Sequence, residues 1–334
     1  MSRIYYFCPD FSQPSAGTRR LYRHVFHLNR LGYDAVVAHQ RRGFSLTWHE
    51  YKVPVVWVED VLNIGPSDVL VFPEGMVSLM QSTRNFPCKR VGIALNWAYI
   101  HRNLPQGETW PDYGIRQAIT PSPLIKRFLE WSMGIEVTLV ANYVDAKRYR
   151  YDPATKRPKI SYMVRKDPAG DILQAIFRRK HDSAGSKLEW VRLDRMEEDE
   201  FAGHLRESRI FIATSTQEGM PTSLLEAMAS GCLVIGFSGI GGNDYLIGSG
   251  GEQNCILIEN GDLPGLGKAL DRTLGELERD GSCFERIVRN GIQTAHRFQD
   301  FEVEGKSLAA FFQSLGCLPA DPWSRDALNP AQSI

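Results

Sequence analysis

No Cys-x-x-Cys or Cys-x-x-His pairing occurs in this sequence. Its six cysteines stand apart at 8, 88, 232, 255, 283 and 317, which argues against a zinc site and against a disulfide framework. No apolar run approaches the ~18 residues that a membrane-spanning helix needs. The opening stretch MSRIYYFCPD reads as a strand rather than as the apolar core of a signal peptide. The cytosol is therefore the expected compartment, and any membrane role is peripheral, at the inner face. Net charge is missing too: 39 basic and 39 acidic residues cancel, so no strong field draws the whole chain to nucleic acid.

Several nucleotide and catalytic signatures are also absent. Asp-x-Asp occurs nowhere, so no carboxylate pair of that kind is set to hold a metal against a diphosphate. A phosphate-binding Walker loop fails because five residues separate Gly261 from Gly267, where four are required, and Ala269 follows Lys268. The segment SGIGG at 238–242 follows a late strand and lacks the full dinucleotide spacing, while GFSGI lacks the second glycine of a nucleophile elbow. Any bound anion must be met by protein groups.

What is present is a globular composition, 43% hydrophobic and 23% charged over 334 residues, enough for two cores. Strand-like and helical runs alternate, the mark of parallel α/β layers. The first unit is the strand RIYYFCPD, a loop FSQPSAGT, a helix through RRLYRHVFHLNRLG and the strand YDAVVAHQ. In that helix Leu21, Val25, Leu28 and Leu31 share one face and Arg20, Arg23, His27 and Arg30 another. The basic stripe reads first as solvated, and second as a surface for a lipid or anionic acceptor. The polar, Pro-punctuated AKRYRYDPATKRPK reads as a linker, after which the pattern restarts. The expected domains are 1–150 and 151–300, both doubly wound, followed by a helix at 301–317 that packs back on the first domain and a tail at 318–334.

The informative stretch is EGMPTSLLEAMASG at 218–231, where a strand, a Pro-containing turn and a helix carry Glu218 and Glu226 eight residues apart. The helix start is a ready phosphate cradle, since its first N–H groups are unpaired and carry partial positive charge. Gly219 permits close backbone approach, Pro221 presets φ, and Thr222 or Ser223 is placed to cap. Carboxylates on either side of such a turn are strong acceptors for sugar hydroxyls. The arrangement fits a nucleotide-sugar with a hexose at one end and a ribose at the other.

These residues resemble the retaining glycosyltransferases of the GT-B fold, family 4 type. The frame EGMPTSLLEAMASGCLVIGFSGIGG is similar to that family's Glu-x7-Glu signature with its following strand and Gly-Gly loop. ANYVD is similar to its hinge Asn-Gly-Val-Asp, and YMVRK to its diphosphate-binding segment. The resemblance implies two Rossmann-like domains facing a cleft, with acceptor on the first and donor on the second. It places Glu218 at the donor hexose, Glu226 at the ribose, and Arg165 and Lys166 at the departing diphosphate. Backbone of Gly219, Met220, Ser223 and Leu224 would lie near the phosphates, and Gly17 in the first loop near donor and acceptor. The acceptor expected is a glycan, a lipid-linked sugar or another hydroxyl compound; no cofactor and no metal are expected.

Asn96, Tyr99 and His101, in ALNWAYIHRN after a strand end, are further cleft residues on this reading. His24 and His27, three apart on a helix, read as surface or interdomain residues rather than as metal ligands. Two alternatives stand beside the transferase: a non-catalytic, glycosyltransferase-like partner subunit and a nucleotide-sugar 2-epimerase.

Overall fold

The computed structural model describes residues 2–60, 62–164, 168–181 and 188–319. The chain divides into two compact α/β units: one runs to Asn142 and resumes at Glu302, and the other spans Tyr143–Phe301. The first boundary falls inside ANYVD.

The first unit contains β1 (Arg3–Phe7), α1 (Ala16–Arg30), β2 (Asp34–His39), β3 (Val55–Trp57), β4 (Val69–Pro73), α2 (Val77–Ser82) and β5 (Lys89–Ile93). It continues with α3 (Trp97–Ile100), β6 (Gln117–Thr120), α4 (Pro123–Met133) and β7 (Glu136–Leu139). Its seven strands are parallel, in the order β3-β2-β1-β4-β5-β6-β7. Central strands such as β1 and β4 are buried on both faces, which is why they read as unbroken apolar runs. Helix α4 starts where Pro123 sits behind the Ser122 cap and stops at Gly134, whose φ of 63° turns the chain out of the helix. Gly92 in β5 lies under the buried Trp110 ring; a Cβ there would fall 2.3 Å from it.

The second unit is smaller. It holds β8 (Arg157–Met163), α5 (Ala169–His181), β9 (Glu189–Leu193), α6 (Glu198–Glu207) and β10 (Ser208–Ala213). After these come α7 (Thr222–Ala229), β11 (Leu233–Gly236), β12 (Ile256–Leu257), α8 (Leu263–Arg279) and α9 (Glu285–His296). The parallel sheet has the order β12-β11-β10-β8-β9. The chain steps outward one way from β8 and the other way from β10, so the topological switch point, where open α/β sheets bind ligands beyond the strand ends, lies between them. Core layers on both faces hold the sheet, one around Leu205, Leu225 and Met228 and one around Phe177, Leu266 and Leu270.

The last helix, α10 (Phe301–Ser314), returns to the first unit. Glu304 is fully buried there and receives Arg23 through Nε at 2.5 Å and Nη2 at 2.8 Å, with His27 Nε2 at 3.2 Å and His24 Nε2 at 3.6 Å. This corrects the solvated stripe. Arg20 and Arg23 are buried, Arg20 bonding the Asn142 side chain, and only Arg30 is exposed, pairing with Glu302 at 3.1 Å. The charge of that face had hidden the burial of Arg23, which depends on α10, far off in sequence.

The segment read as a linker is also corrected. Tyr149 is buried within the second unit, and Arg148 pairs with Asp145, Glu198 and Asp199. Among the described residues no helix is long and apolar enough to cross a membrane.

Candidate functional site

Glu218, Gly219, Met220, Ser223, Leu224 and Glu226 are brought together by one strand–turn–helix passage at the switch point of the second unit. Strand β10 ends at Ala213, and Thr214 Oγ1 donates to the Met163 carbonyl at 3.3 Å, tying its end to that of β8. The chain then runs to Glu218, which is half-buried, and enters α7 over Pro221. Pro221 is itself the cap position, with φ of −68° and ψ of 91°, and no side chain caps the helix. Thr222 and Ser223 therefore stand inside the helix rather than at its cap position, and Thr222 Oγ1 donates to the Met220 carbonyl at 3.5 Å. Glu226, on the second turn, is only 4% exposed.

Glu218 is held by the glycine loop that follows β11. Its N–H donates to the Gly239 carbonyl at 2.8 Å, and its carbonyl accepts from the Gly241 N–H at 3.1 Å, forming a single parallel bridge with Ile240. Side chains at the glycines would collide with this arrangement. A Cβ on Gly241 would lie 1.9 Å from the Gly219 carbonyl oxygen, and one on Gly239 would lie 2.7 Å from Glu218 Cβ. The Gly-Gly loop is thus a packing surface for the Glu218–Gly219 backbone.

Tyr245 is a residue that sequence reasoning missed. Its hydroxyl donates to the Pro221 carbonyl at 2.7 Å, and its own carbonyl accepts from Asn254 Nδ2 at 2.8 Å. Burial pushes the phenol far above its usual range, and the charges of Glu218 and Glu226 both add to the effect. Tyr245 therefore stays a neutral donor, and it lies within the electrostatic reach of both carboxylates. Ser238 and Asn260 were missed as well. The first accepts the Ile240 N–H and the second the Gly239 N–H, each at 3.1 Å. Ser, Asn and Tyr scattered over 238–260 carry no spacing signal, because their partners are main-chain groups brought close only by the fold.

Arg165 and Lys166 lie outside the described residues.

The remaining sequence-derived residues belong to the first unit. Gly17 stands in the first turn of α1 rather than in a loop, because the helix begins at Ala16; a Cβ on it would meet Leu95 and Ser15 only at 3.6 and 3.7 Å. Asn96 caps α3, its side chain accepting the Ala98 N–H at 2.9 Å while its own N–H donates to buried Glu74 at 2.8 Å. Tyr99 is half-buried on that helix. His101 ends it, exposed, with Nε2 3.2 Å from Ser132 Oγ and its ring 5.7 Å from Phe128; its partial cover lowers its pKa. Among the described residues no group of three His, Cys, Asp or Glu side chains is placed to hold a metal ion.

Residues 169–276, all in the second unit, match the family model described as glycosyl transferases group 1. A search of curated proteins finds the alpha-1,6-glucosyltransferase of Actinobacillus pleuropneumoniae serotype 7 (strain AP76), 26% identical over 226 residues, covering 65% of this chain and 67% of that protein. Among solved structures, the sucrose-phosphate synthase of Thermosynechococcus elongatus superposes with a TM-score of 0.70 at 12% identity, over 95% of this chain and 99% of that one. Anabaena HepE in complex with UDP-glucose gives 0.60 at 13%, over 94% and 100%. Such low identities speak for the fold, and two parallel-sheet α/β units of this kind make it GT-B.

Proposed function

We propose that this glycosyltransferase of the GT-B fold moves a sugar from a nucleoside diphosphate donor to a hydroxyl acceptor, with retention and without a metal ion. The observation that carries the reading is the pair Glu218 and Glu226 on either side of the α7 start, where the Tyr245 hydroxyl holds the Pro221 carbonyl. On this reading the α7 N–H groups meet the diphosphate, Glu226 the ribose and Glu218 the hexose. Arg165 and Lys166 stabilise the charge that grows on the leaving diphosphate, the role that a metal held by Asp-x-Asp would otherwise take. A phosphate oxygen of the leaving group takes the acceptor proton. The UDP-glucose bound by Anabaena HepE and the hexose named for the Actinobacillus relative support this donor class. The acceptor is a glycan, a lipid-linked sugar or a related hydroxyl compound, and the enzyme works in the cytoplasm.

Thermal shift against UDP-, dTDP- and GDP-sugars tests the donor, since a ligand at 100 times its Kd adds about 2.7 kcal/mol of stability. The two glutamates are then separated by substitution. Glu226→Ala should weaken nucleoside diphosphate binding by about 1.5 to 3 kcal/mol, because a ribose contact is similar before and during reaction. Glu218→Gln should leave that affinity nearly unchanged and slow transfer. Equal losses of nucleotide affinity in both folded variants would withdraw the division of roles.

A further inference from the structure

Ile240 occupies a backbone region that β-branched residues avoid, with φ of 72° and ψ of −55°. A branched Cβ crowds the neighbouring carbonyl in this geometry, which lies near the rare γ-turn of positive φ. Such a conformation persists only where the surroundings over-determine it. Here two side chains do so on consecutive amides. Ser238 Oγ accepts the Ile240 N–H at 3.1 Å and Asn260 Oδ1 accepts the Gly239 N–H at 3.1 Å, while the Ile240 carbonyl accepts the Asn243 N–H at 3.0 Å. The reversal at Ile240 turns the Gly239 carbonyl and the Gly241 N–H toward the same stretch of chain. Both meet Glu218, one at its N–H (2.8 Å) and one at its carbonyl (3.1 Å).

We propose that Asn260, with Ser238, is a positioning residue for sugar transfer: it holds Ile240 in its strained conformation, and the strained loop fixes the main chain of Glu218 and so the direction of its carboxylate. The inference rests on the reading of Glu218 as the residue at the transferred hexose. Asn260 does not touch the donor on this account. Its effect reaches the sugar through Gly239 and Glu218, and leaves the nucleotide, held at Glu226 and the α7 start, unaffected. Strain makes the role distinctive. An ordinary loop hydrogen bond would matter equally whatever residue stood at 240, whereas a tether that opposes strain becomes dispensable once the strain is removed.

The test uses the purified full chain and whichever of UDP-, dTDP- or GDP-glucose it hydrolyses fastest. Asn260→Ala should lower kcat by ~10-fold through misplacement of Glu218, with KM and nucleoside diphosphate Kd little changed. Asn260→Asp, which keeps an acceptor oxygen, should restore most of the rate. In an Ile240→Gly background, where positive φ carries no Cβ penalty, the Asn260→Ala loss should shrink to less than ~3-fold, the coupling that marks two residues acting on one conformation. Should Asn260→Ala fail to fold, Ser238→Ala reads the same device from the next amide. An undiminished kcat in both single variants, an equal fall in nucleotide affinity, or an unchanged Asn260→Ala loss beside Ile240→Gly would each overturn the positioning role while leaving the transferase reading standing. A wild-type protein that binds and hydrolyses none of the three sugar nucleotides would overturn both.

Discussion

The Tyr245 hydroxyl donates to the Pro221 carbonyl at 2.7 Å, so the residue that starts α7 is held by a side chain 24 positions further along the chain. The bond is buried, and its phenol remains protonated at any ordinary pH. Tyr245→Phe removes the donor and leaves a buried carbonyl short of one partner. It should cost about 1 to 3 kcal/mol of stability and weaken nucleoside diphosphate binding, because the helix start is the expected phosphate cradle. Denaturant titration and calorimetry with UDP check both; normal affinity in a destabilised variant would confine Tyr245 to folding.

Two glycines should behave oppositely. Gly241→Ala places a Cβ 1.9 Å from the Gly219 carbonyl oxygen, backbone that cannot swing aside, so a loss of about 2 kcal/mol or more is expected, with transfer abolished. Gly17→Ala meets nothing closer than 3.6 Å in the first turn of α1 and should gain up to about 1 kcal/mol, as alanine does in helices. Melting curves separate the two. If Gly17→Ala instead keeps its stability and loses donor affinity, Gly17 is a ligand contact.

Stability should fall on the acid side in two stages. Burial pushes His24 and His49 down to about 4, so each stays neutral in the native protein while the unfolded chain takes up a proton near the ordinary ~6.5. Between those values the unfolded state binds more protons, and stability drops as pH falls. Glu304 follows lower down. Burial alone would raise its carboxyl, but Arg23 and the two histidines outweigh it and hold it well below its usual range. Its contribution is complete above ~4.3 and is lost as pH falls through the depressed native value. Urea midpoints measured from neutral to acid pH should show this, and His49→Phe should flatten the first stage, since neither ring nitrogen has a hydrogen-bond partner to lose. Glu304→Ala should cost about 3 to 5 kcal/mol, because it strands the buried Arg23 charge.

Arg165→Ala should lower kcat by ~10² or more, the scale of losing a donor to a developing oxyanion. Transfer by metal-stripped protein should survive EDTA. Near-normal turnover without Arg165 would remove it from the leaving-group role, and activity that vanishes with EDTA and returns with manganese would give that role to a metal ion.

Period and composition alone determined that this protein is a doubly wound α/β chain, because unbroken apolar runs alternating with amphipathic helices have few other ways to bury themselves. The local chemistry of EGMPTSLLE was legible too, since the turn, the helix start and both glutamates lie within nine consecutive residues. What the sequence could not display were relationships whose two halves lie far apart in the chain. Arg20 and Arg23 looked solvated until α10 brought Glu304 to Arg23 across 281 positions. Gly17 looked like a loop residue because glycine is a poor helix former, yet helix α1 begins one residue before it. Tyr245, Ser238 and Asn260 were invisible because they serve main-chain groups, which every residue possesses and no motif records. Only the tertiary structure decides which amide a lone asparagine will find, and in this protein that choice governs how Glu218 is held.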